Sequence, residues 1–348
     1  MDTKKITIAR IAELAGVSKT TASLVLNGQG SEFRIKEETR ERVKAIARAN
    51  HYSPNSVARS LKTRRSGAIG LAIPDLTNQG FAQIARTLEA CCRETGLQLL
   101  IACTDDDPEQ EKAVVTGLAK RQIEGLIVAS SLLDDRFYQT LLPSLPVVQV
   151  DRRIPESTLP FAVTDAFEAT AKMMEKIARQ GSGRSAREYV FLGGQSGLST
   201  SEDRRNGFIE GLKRCGISVP ENWILQRDYQ VDSGYRMLAE FCTENGRVPD
   251  VLFTSSFTLF EGVMRYLKQN NLLPQLIAGK MHLATFDNHE LLDCLPMDVD
   301  SIAQSSELMA SSAFSILHDS CAKKNDDFEP SQQFIPAVFH WRSRVNVL

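Results

Sequence analysis

From residue 66 onward the chain repeats one pattern that few folds can accept: a short apolar run, then an amphipathic helical stretch, then another apolar run. AIGLAIP is followed by a helical pattern at residues 80 to 95, LQLLIAC by 108 to 121, EGLIVAS by 134 to 142, and then comes PVVQVD. The pattern resumes with helices predicted at 166 to 179, 202 to 214 and 258 to 270. Between and after them stand the strands YVFLGG, VLFTS and HLATFD. Apolar runs of this length alternating with helices specify parallel strands joined by crossover helices. Two such series predict two α/β lobes, with the second beginning after Phe161. Open parallel sheets bind ligands beyond the carboxyl ends of their strands, so two lobes can share one cleft.

The N-terminal stretch is of another kind. Ile8, Ile11, Ala12 and Ala15 form one apolar stripe of a helix that Thr7 can cap, and Gly16 breaks it. Ser18 can cap a second helix with Ala22, Val25 and Leu26 turned inward and Lys19, Thr20, Ser23 and Leu24 on the opposite face. Side chains that short allow a helix to enter the DNA major groove, with donors near its first turn for base edges and phosphates. A third helix is expected over residues 36 to 50, carrying Val43, Ile46, Ala47 and Asn50 at helical period. Pro54 can start a further short helix through Ser60, too short to persist alone in water. Lys62, Thr63, Arg64 and Arg65 read as linker.

Charge separates the same two regions. Residues 1 to 65 carry 14 Lys or Arg and 6 Asp or Glu, and the remaining 283 residues carry 27 and 37, so the net charge of −2 divides into +8 and −10. A basic head on an acidic body points to a polyanion as partner of the head alone. A leading MDTKKITIAR without an apolar run, and no eighteen consecutive apolar residues, lead us to expect a cytoplasmic protein with no membrane contact. The seven cysteines, only Cys91 and Cys92 adjacent, show no CxxC and no ligand spacing with the five histidines. They are read as reduced thiols, with no metal site.

Polar residues that follow the predicted strands are the candidate ligand contacts: Asp75, Asn78, Ser130, Asp151, Ser256 and Asp287, with Gln304 after DVDSIAQ. Each alone could be a helix cap or turn residue; their shared position at strand ends is the argument. Enzyme-like features do not hold together. GGQSG at 193 to 197 lacks the lysine and hydroxyl of a phosphate-binding loop. Asp105, Asp106, Asp107, Pro108 and Glu109 fit a helix start better than a metal loop. His282 and His289 have no matching acid or cysteine constellation of a catalytic or metal site. No catalytic residues and no cofactor are expected.

IAELAGVSKTTASLVLN at residues 11 to 27 and HYSPNSVARSL at 51 to 61 resemble, in order and separation, the helix-turn-helix and hinge signatures of the LacI family of bacterial repressors. NGQGSEFRI, after the second helix, resembles the fructose and sucrose branch of that family. The resemblance implies an all-α DNA-binding head at residues 1–53 and a hinge helix and linker at 54–65. It also implies a two-lobed, periplasmic-binding-protein-like effector and dimerisation domain at 66–348, with three crossings between lobes. It places the DNA contacts at Thr7, Ser18, Lys19, Thr20, Thr21, Ser23, Leu24, Asn27, Arg34, Tyr52, Asn55, Arg59 and Leu61, the last wedging into the minor groove. In the cleft it matches Arg204 to the effector-holding arginine, Asp287, Asp151 and Gln304 to polar contacts, and Tyr229 to a stacking aromatic. Two departures stand out: Ile35 and Lys36 replace the usual hydroxyl cap of the third helix, and Ser256-Phe257 replaces an Asn-Asp pair.

The implied function is a homodimeric repressor of sucrose or fructose utilisation genes, bound to a near-palindromic operator and released by fructose or fructose 1-phosphate. FHWRSRVNVL at the end shows no heptads, which favours a dimer over a coiled-coil tetramer. The alternatives are a global fructose 1-phosphate-responsive repressor and activator, a sugar-binding transport protein, and a sugar-processing enzyme.

Overall fold

A computed structural model describes residues 6–28, 30–52, 66–142, 144–180, 187–322 and 331–343. The chain divides into two compact units, one ending at Ser66 and the other beginning at Gly67. The segment expected to form the hinge, with Asn55, Arg59 and Leu61, lies outside the described residues.

In the smaller unit α1 (Ile8–Ala15), α2 (Lys19–Leu26) and α3 (Glu37–Ala49) enclose Ile11, Ala12, Ala15, Ala22, Val25, Val43 and Ala47. Each end forms for a local reason. Thr7 Oγ1 accepts from Arg10 N at 3.4 Å and Ser18 Oγ from Thr21 N at 3.0 Å, so two otherwise orphaned amide groups are capped. Gly16 ends α1 at φ 64°, a left-handed conformation that costs glycine nothing. The start of α3 has no side-chain cap, as Lys36 in the hydroxyl's place implies, and Glu37 and Glu38 face the helix dipole instead.

The larger unit contains two six-stranded sheets. The first is built from β1 (Ala68–Ile73), β2 (Gln98–Cys103), β3 (Gly125–Val128), β4 (Val147–Val150), β5 (Phe161–Thr164) and β11 (Gln332–Ile335). Its order is β11-β5-β4-β3-β1-β2, all parallel. Helices α4 (Gln79–Glu94), α5 (Pro108–Lys120) and the short α6 (Arg136–Gln139) connect its early strands. After β5 come α7 (Ala166–Gln180), β6 (Tyr189–Gly193), α8 (Ser199–Lys213), β7 (Ile224–Gln226), α9 (Val231–Asn245), β8 (Val251–Thr254) and α10 (Phe257–Gln269). Then follow α11 (Leu273–Ile277), β9 (His282–Phe286), β10 (Val299–Ala303) and α12 (Ser306–Ala322), with β12 (Val338–His340) last. The second sheet runs β12-β10-β9-β8-β6-β7 and is parallel except for β12.

The two-lobed α/β architecture and its three crossings agree with expectation, with one boundary corrected. β5 begins at Phe161 but pairs with β4 and β11 of the first sheet, so the first crossing follows Thr164. The chain returns between β10 and α12, whose Met309, Ala313 and Leu317 sit in the first lobe's core, and crosses again between β11 and β12. The stretch at 134 to 142 is helical only over Arg136–Gln139.

A buried carboxylate anchors the first lobe. Glu111, fully buried on α5, accepts from Ser130 Oγ at 2.5 Å, Ser131 N at 2.7 Å, Ser131 Oγ at 2.8 Å and the Tyr138 hydroxyl. Burial, and then the carboxylate beside it, push the Tyr138 phenol well above its usual range. Removing the acceptor strands several buried donors at once. Glu111→Ala should therefore destabilise the chain by about 3 kcal/mol or more, read as a lowered melting temperature by calorimetry, with Glu111→Gln milder.

Candidate functional site: an interlobe cleft

The carboxyl ends of the two sheets face a common cavity of about 290 Å³. From the first lobe come Asp75, Thr77 and Asn78 after β1, the start of α4, Asp106 after β2, and Asp151 and Arg152 after β4. From the second come Thr200 and Arg204 of α8, Tyr229 and Gln230 after β7, Ser256 after β8, Glu261 of α10, Asp287 after β9 and Gln304 after β10. Eight of the nine candidate ligand contacts, all but one of the seven at strand ends together with Arg204 and Tyr229, thus share one space.

Ser130 is the exception, and the expectation for it is corrected. Its hydroxyl is committed to Glu111 and accepts from Leu132 N at 3.1 Å, and it does not line the cavity. Three other candidates line the cavity while also serving local structure. Asp75 accepts from Thr77 N at 2.8 Å, Asn78 caps α4 through Gly80 N at 2.9 Å, and Ser256 caps α10 through Leu259 N at 3.2 Å.

Arg204 is only 4% exposed. Its Nη1 donates to Ser255 O at 2.7 Å, its guanidinium lies 3.8 Å from the Phe286 ring centroid, and its Nε makes no hydrogen bond. Arg204 is not a surface arginine paired with Glu202 or Asp203 of its own helix, whose carboxylates are engaged elsewhere. Glu202 accepts from Gly197 N and Ser196 Oγ, and Asp203 pairs with Arg153 at 3.0 Å. Asp287 adopts φ 68° and accepts from Gln304 Nε2 at 2.9 Å, while Thr164 Oγ1 donates to Gln304 Oε1 at 2.8 Å. Tyr229 shares a hydrogen bond with Ser201 Oγ at 2.8 Å. A Cβ on Gly194 would come within 2.0 Å of the Tyr229 ring, so the second glycine of GGQSG is the surface on which that ring rests.

Sequence reasoning missed Arg152 and Asp106. Arg152 is 5% exposed, donates to both oxygens of Asp106, and has its Nε 3.9 Å from Asp151 Oδ2. Its place directly after Asp151 was the available signal. The acidic run starts a helix as expected, but through Asp107 alone, which accepts from Glu109 N at 2.7 Å and Gln110 N at 3.0 Å. Its neighbour Asp106 turns to the cavity instead.

Burial, the largest influence, raises the Asp151 carboxyl above the usual carboxylate range, against the opposing pull of Arg152 and Arg204. A carboxyl whose folded value is raised loses stability as pH climbs from the unfolded value through the folded one. Asp151→Asn should therefore melt higher than wild type at neutral pH. The gap should close as the pH falls to where both states of the wild-type carboxyl are protonated, a trend that calorimetry across a pH series checks.

In the smaller unit Lys19 and Thr20 are exposed on the first turn of α2, and Thr21, Ser23 and Leu24 are half-buried. Asn27 and Arg34 are exposed, with Asn27 Nδ2 donating to Ser23 Oγ at 3.2 Å. Ser18 Oγ and Thr21 Oγ1 are hydrogen-bonded to each other at 2.8 Å. Tyr52 packs against the three-helix core, where burial raises its phenol. No helix among the described residues is long and apolar enough to cross a membrane.

Two family models match the chain. One describes bacterial regulatory proteins of the lacI family and covers residues 7–55, and the other describes periplasmic binding proteins and the sugar binding domain of the LacI family and covers residues 66–300. The sucrose operon repressor of Klebsiella pneumoniae is 47% identical over 98% of this chain and 99% of its own length. The fructose operon regulatory protein of Vibrio cholerae is 34% identical over 92% and 95%. Among solved structures, the Cra dual regulator of Pseudomonas putida in complex with fructose 1-phosphate matches with a TM-score of 0.71 and 28% identity, covering 80% of this chain and 99% of that one.

Proposed function

We propose that this chain, which belongs to the LacI family of bacterial regulatory proteins, is a homodimeric repressor of sucrose or fructose utilisation genes, released from its operator when fructose or a fructose phosphate fills the cleft. The observation that carries the reading is the cleft itself: each wall presents a nearly buried guanidinium, Arg152 from one lobe and Arg204 from the other, among carboxylates suited to vicinal hydroxyls. The cavity is at the small end of ligand pockets, which run from about 300 Å³ upward, and suits a single sugar.

The two walls differ in a way that favours a phosphorylated sugar. Asp287, Gln304, Arg204 and Tyr229 supply paired acceptors and donors and an aromatic face, the requirements of a sugar ring. The other wall carries the Thr77 hydroxyl, which donates to Asp75, the N-terminal end of α4, capped by Asn78, and the Arg152 fork, which is paired with Asp106; these are donors that a phosphate can take over from the protein's own acceptors. A titration of the purified protein with fructose, fructose 1-phosphate and sucrose tests the choice. Fructose 1-phosphate should bind most tightly, and equal affinity for free fructose removes the phosphate assignment.

Arg204→Ala should bind operator as wild type does. It should need about 10 to 100 times more fructose 1-phosphate for release, because charge-assisted hydrogen bonds are lost from the cleft alone. Operator retention on a gel across a ligand series reads this, and release at the wild-type concentration removes Arg204 from the effector contacts.

On the DNA side, Lys19, Thr20 and Leu24 meet base edges, while Thr21, Ser23 and Asn27 hold phosphates. Lys19→Ala should lose about 1 to 3 kcal/mol at the preferred operator and little on random DNA, measured by competition binding at fixed salt. Equal loss on both makes Lys19 a phosphate contact.

A further inference from the structure

We infer that Arg342, which does not line the cleft and lies 55 positions beyond Asp287, is a positioning residue for effector binding: it clamps the turn that holds Asp287 in the cavity. The inference rests on the reading of the cleft as the effector site.

Asp287 sits at φ 68°, in the left-handed region that costs a side-chain-bearing residue free energy and persists only where neighbours hold it. One hold is Gln304, on the Asp287 side chain. The other acts through the next residue. Asn288 Oδ1 accepts from Ser301 Oγ at 2.8 Å and from Arg342 Nη2 at 2.8 Å, which fills both of its lone pairs and fixes the side chain.

The Arg342 guanidinium is itself immobilised. Its Nη1 donates to Ser301 Oγ at 2.9 Å and Val299 O at 3.2 Å, and its Nε to Asp293 Oδ1 at 2.6 Å. Its backbone is pinned by Asp300, a fully buried carboxylate on β10. Asp300 accepts from Arg342 N at 2.7 Å, Ser343 N at 3.0 Å, Ser343 Oγ at 2.6 Å and His282 Nε2 at 3.0 Å. Burial alone would raise the Asp300 carboxyl, but the hydrogen bonds from His282 and Ser343 hold it below its usual range, so it stays an anion. A rigid fork thus runs from the segment after β12 to the turn that carries Asp287. Arginine suits the task because its planar donors reach Asn288, Ser301, Val299 and Asp293 together, which a lysine ammonium cannot.

The experiment compares Arg342→Ala, Arg342→Lys, Asn288→Ala and Asp293→Ala in the full chain. Arg342→Ala and Asn288→Ala should each raise the fructose 1-phosphate concentration for half-release of operator about tenfold, with operator affinity unchanged. The double variant should be no worse than either single one, as members of one chain of contacts require. Arg342→Lys should recover thermal stability before it recovers effector sensitivity. Asp293→Ala cuts only the solvent-facing arm and should leave release at the wild-type concentration. In ligand-free protein, hydrogen exchange at residues 286 to 289 should speed up in Arg342→Ala and not in Asp293→Ala. Unchanged exchange in Arg342→Ala, or release at the wild-type concentration by a sugar phosphate that binds wild type, overturns the clamp. A wild type that responds to no fructose compound overturns the effector reading instead, and the exchange measurement still decides the clamp.

Discussion

The larger unit is organised around burying charge where two sheets end. Asp151, Arg152 and Arg204 are all buried, and an ion so placed is tolerated only when its partners replace the water it has lost. Arg152 is answered by Asp106, Arg204 by a backbone carbonyl and the face of Phe286, and Asp151 by both arginines. The answer to Asp151 is incomplete, since burial still wins and its carboxyl is raised. A site with residual electrostatic cost is one in which a polyol or phosphate adds hydrogen bonds that the protein does not make for itself. A carboxyl perturbed in this way within a cleft marks binding chemistry for this reason.

Much of this was legible in the sequence because strand ends are legible. The apolar runs set where each strand stops, and in an open parallel sheet the residues just beyond stand at the ligand edge, so Asp75, Asp151, Asp287 and Gln304 could be named without coordinates. Ser130 obeyed the same rule and went elsewhere because a buried glutamate nineteen positions away needed its hydroxyl. Nothing in the local sequence announces that demand. Asp106 failed in the opposite direction. It sits in a run of three aspartates that looks like a helix start, yet only Asp107 caps, and the left-handed backbone at Asp105 and Asp106 turns the middle carboxylate toward Arg152.

The elements hardest to foresee were those stabilised by distant pairing. FAVT stands outside the strand–helix series that the sequence shows, and β5 takes its place in the first sheet between β4, just before it in the chain, and β11, some 170 positions later. β11 and β12 are short and half-exposed, with no strong period of their own. The strand pairing and the Asp300–Ser343 contacts hold them, and both are long-range interactions that a window of a dozen residues does not contain.

A ligand switches such a molecule only through the difference in its affinity for two arrangements of the lobes. Contacts to one wall are the same whether the cleft is open or closed, so they add affinity without adding any bias. Bias comes from a ligand that engages both walls at once, and here the groups that suit a phosphate lie mainly on the first lobe while those that suit a sugar ring lie on the second. The protein also opposes free movement between its lobes. Arg153, on the first lobe, donates to both oxygens of Asp203 on α8 at 3.0 and 3.1 Å, and its backbone N–H bonds Ser199 Oγ at 3.0 Å. Those contacts favour the arrangement in which they form and set part of the free energy a ligand must overcome or reinforce.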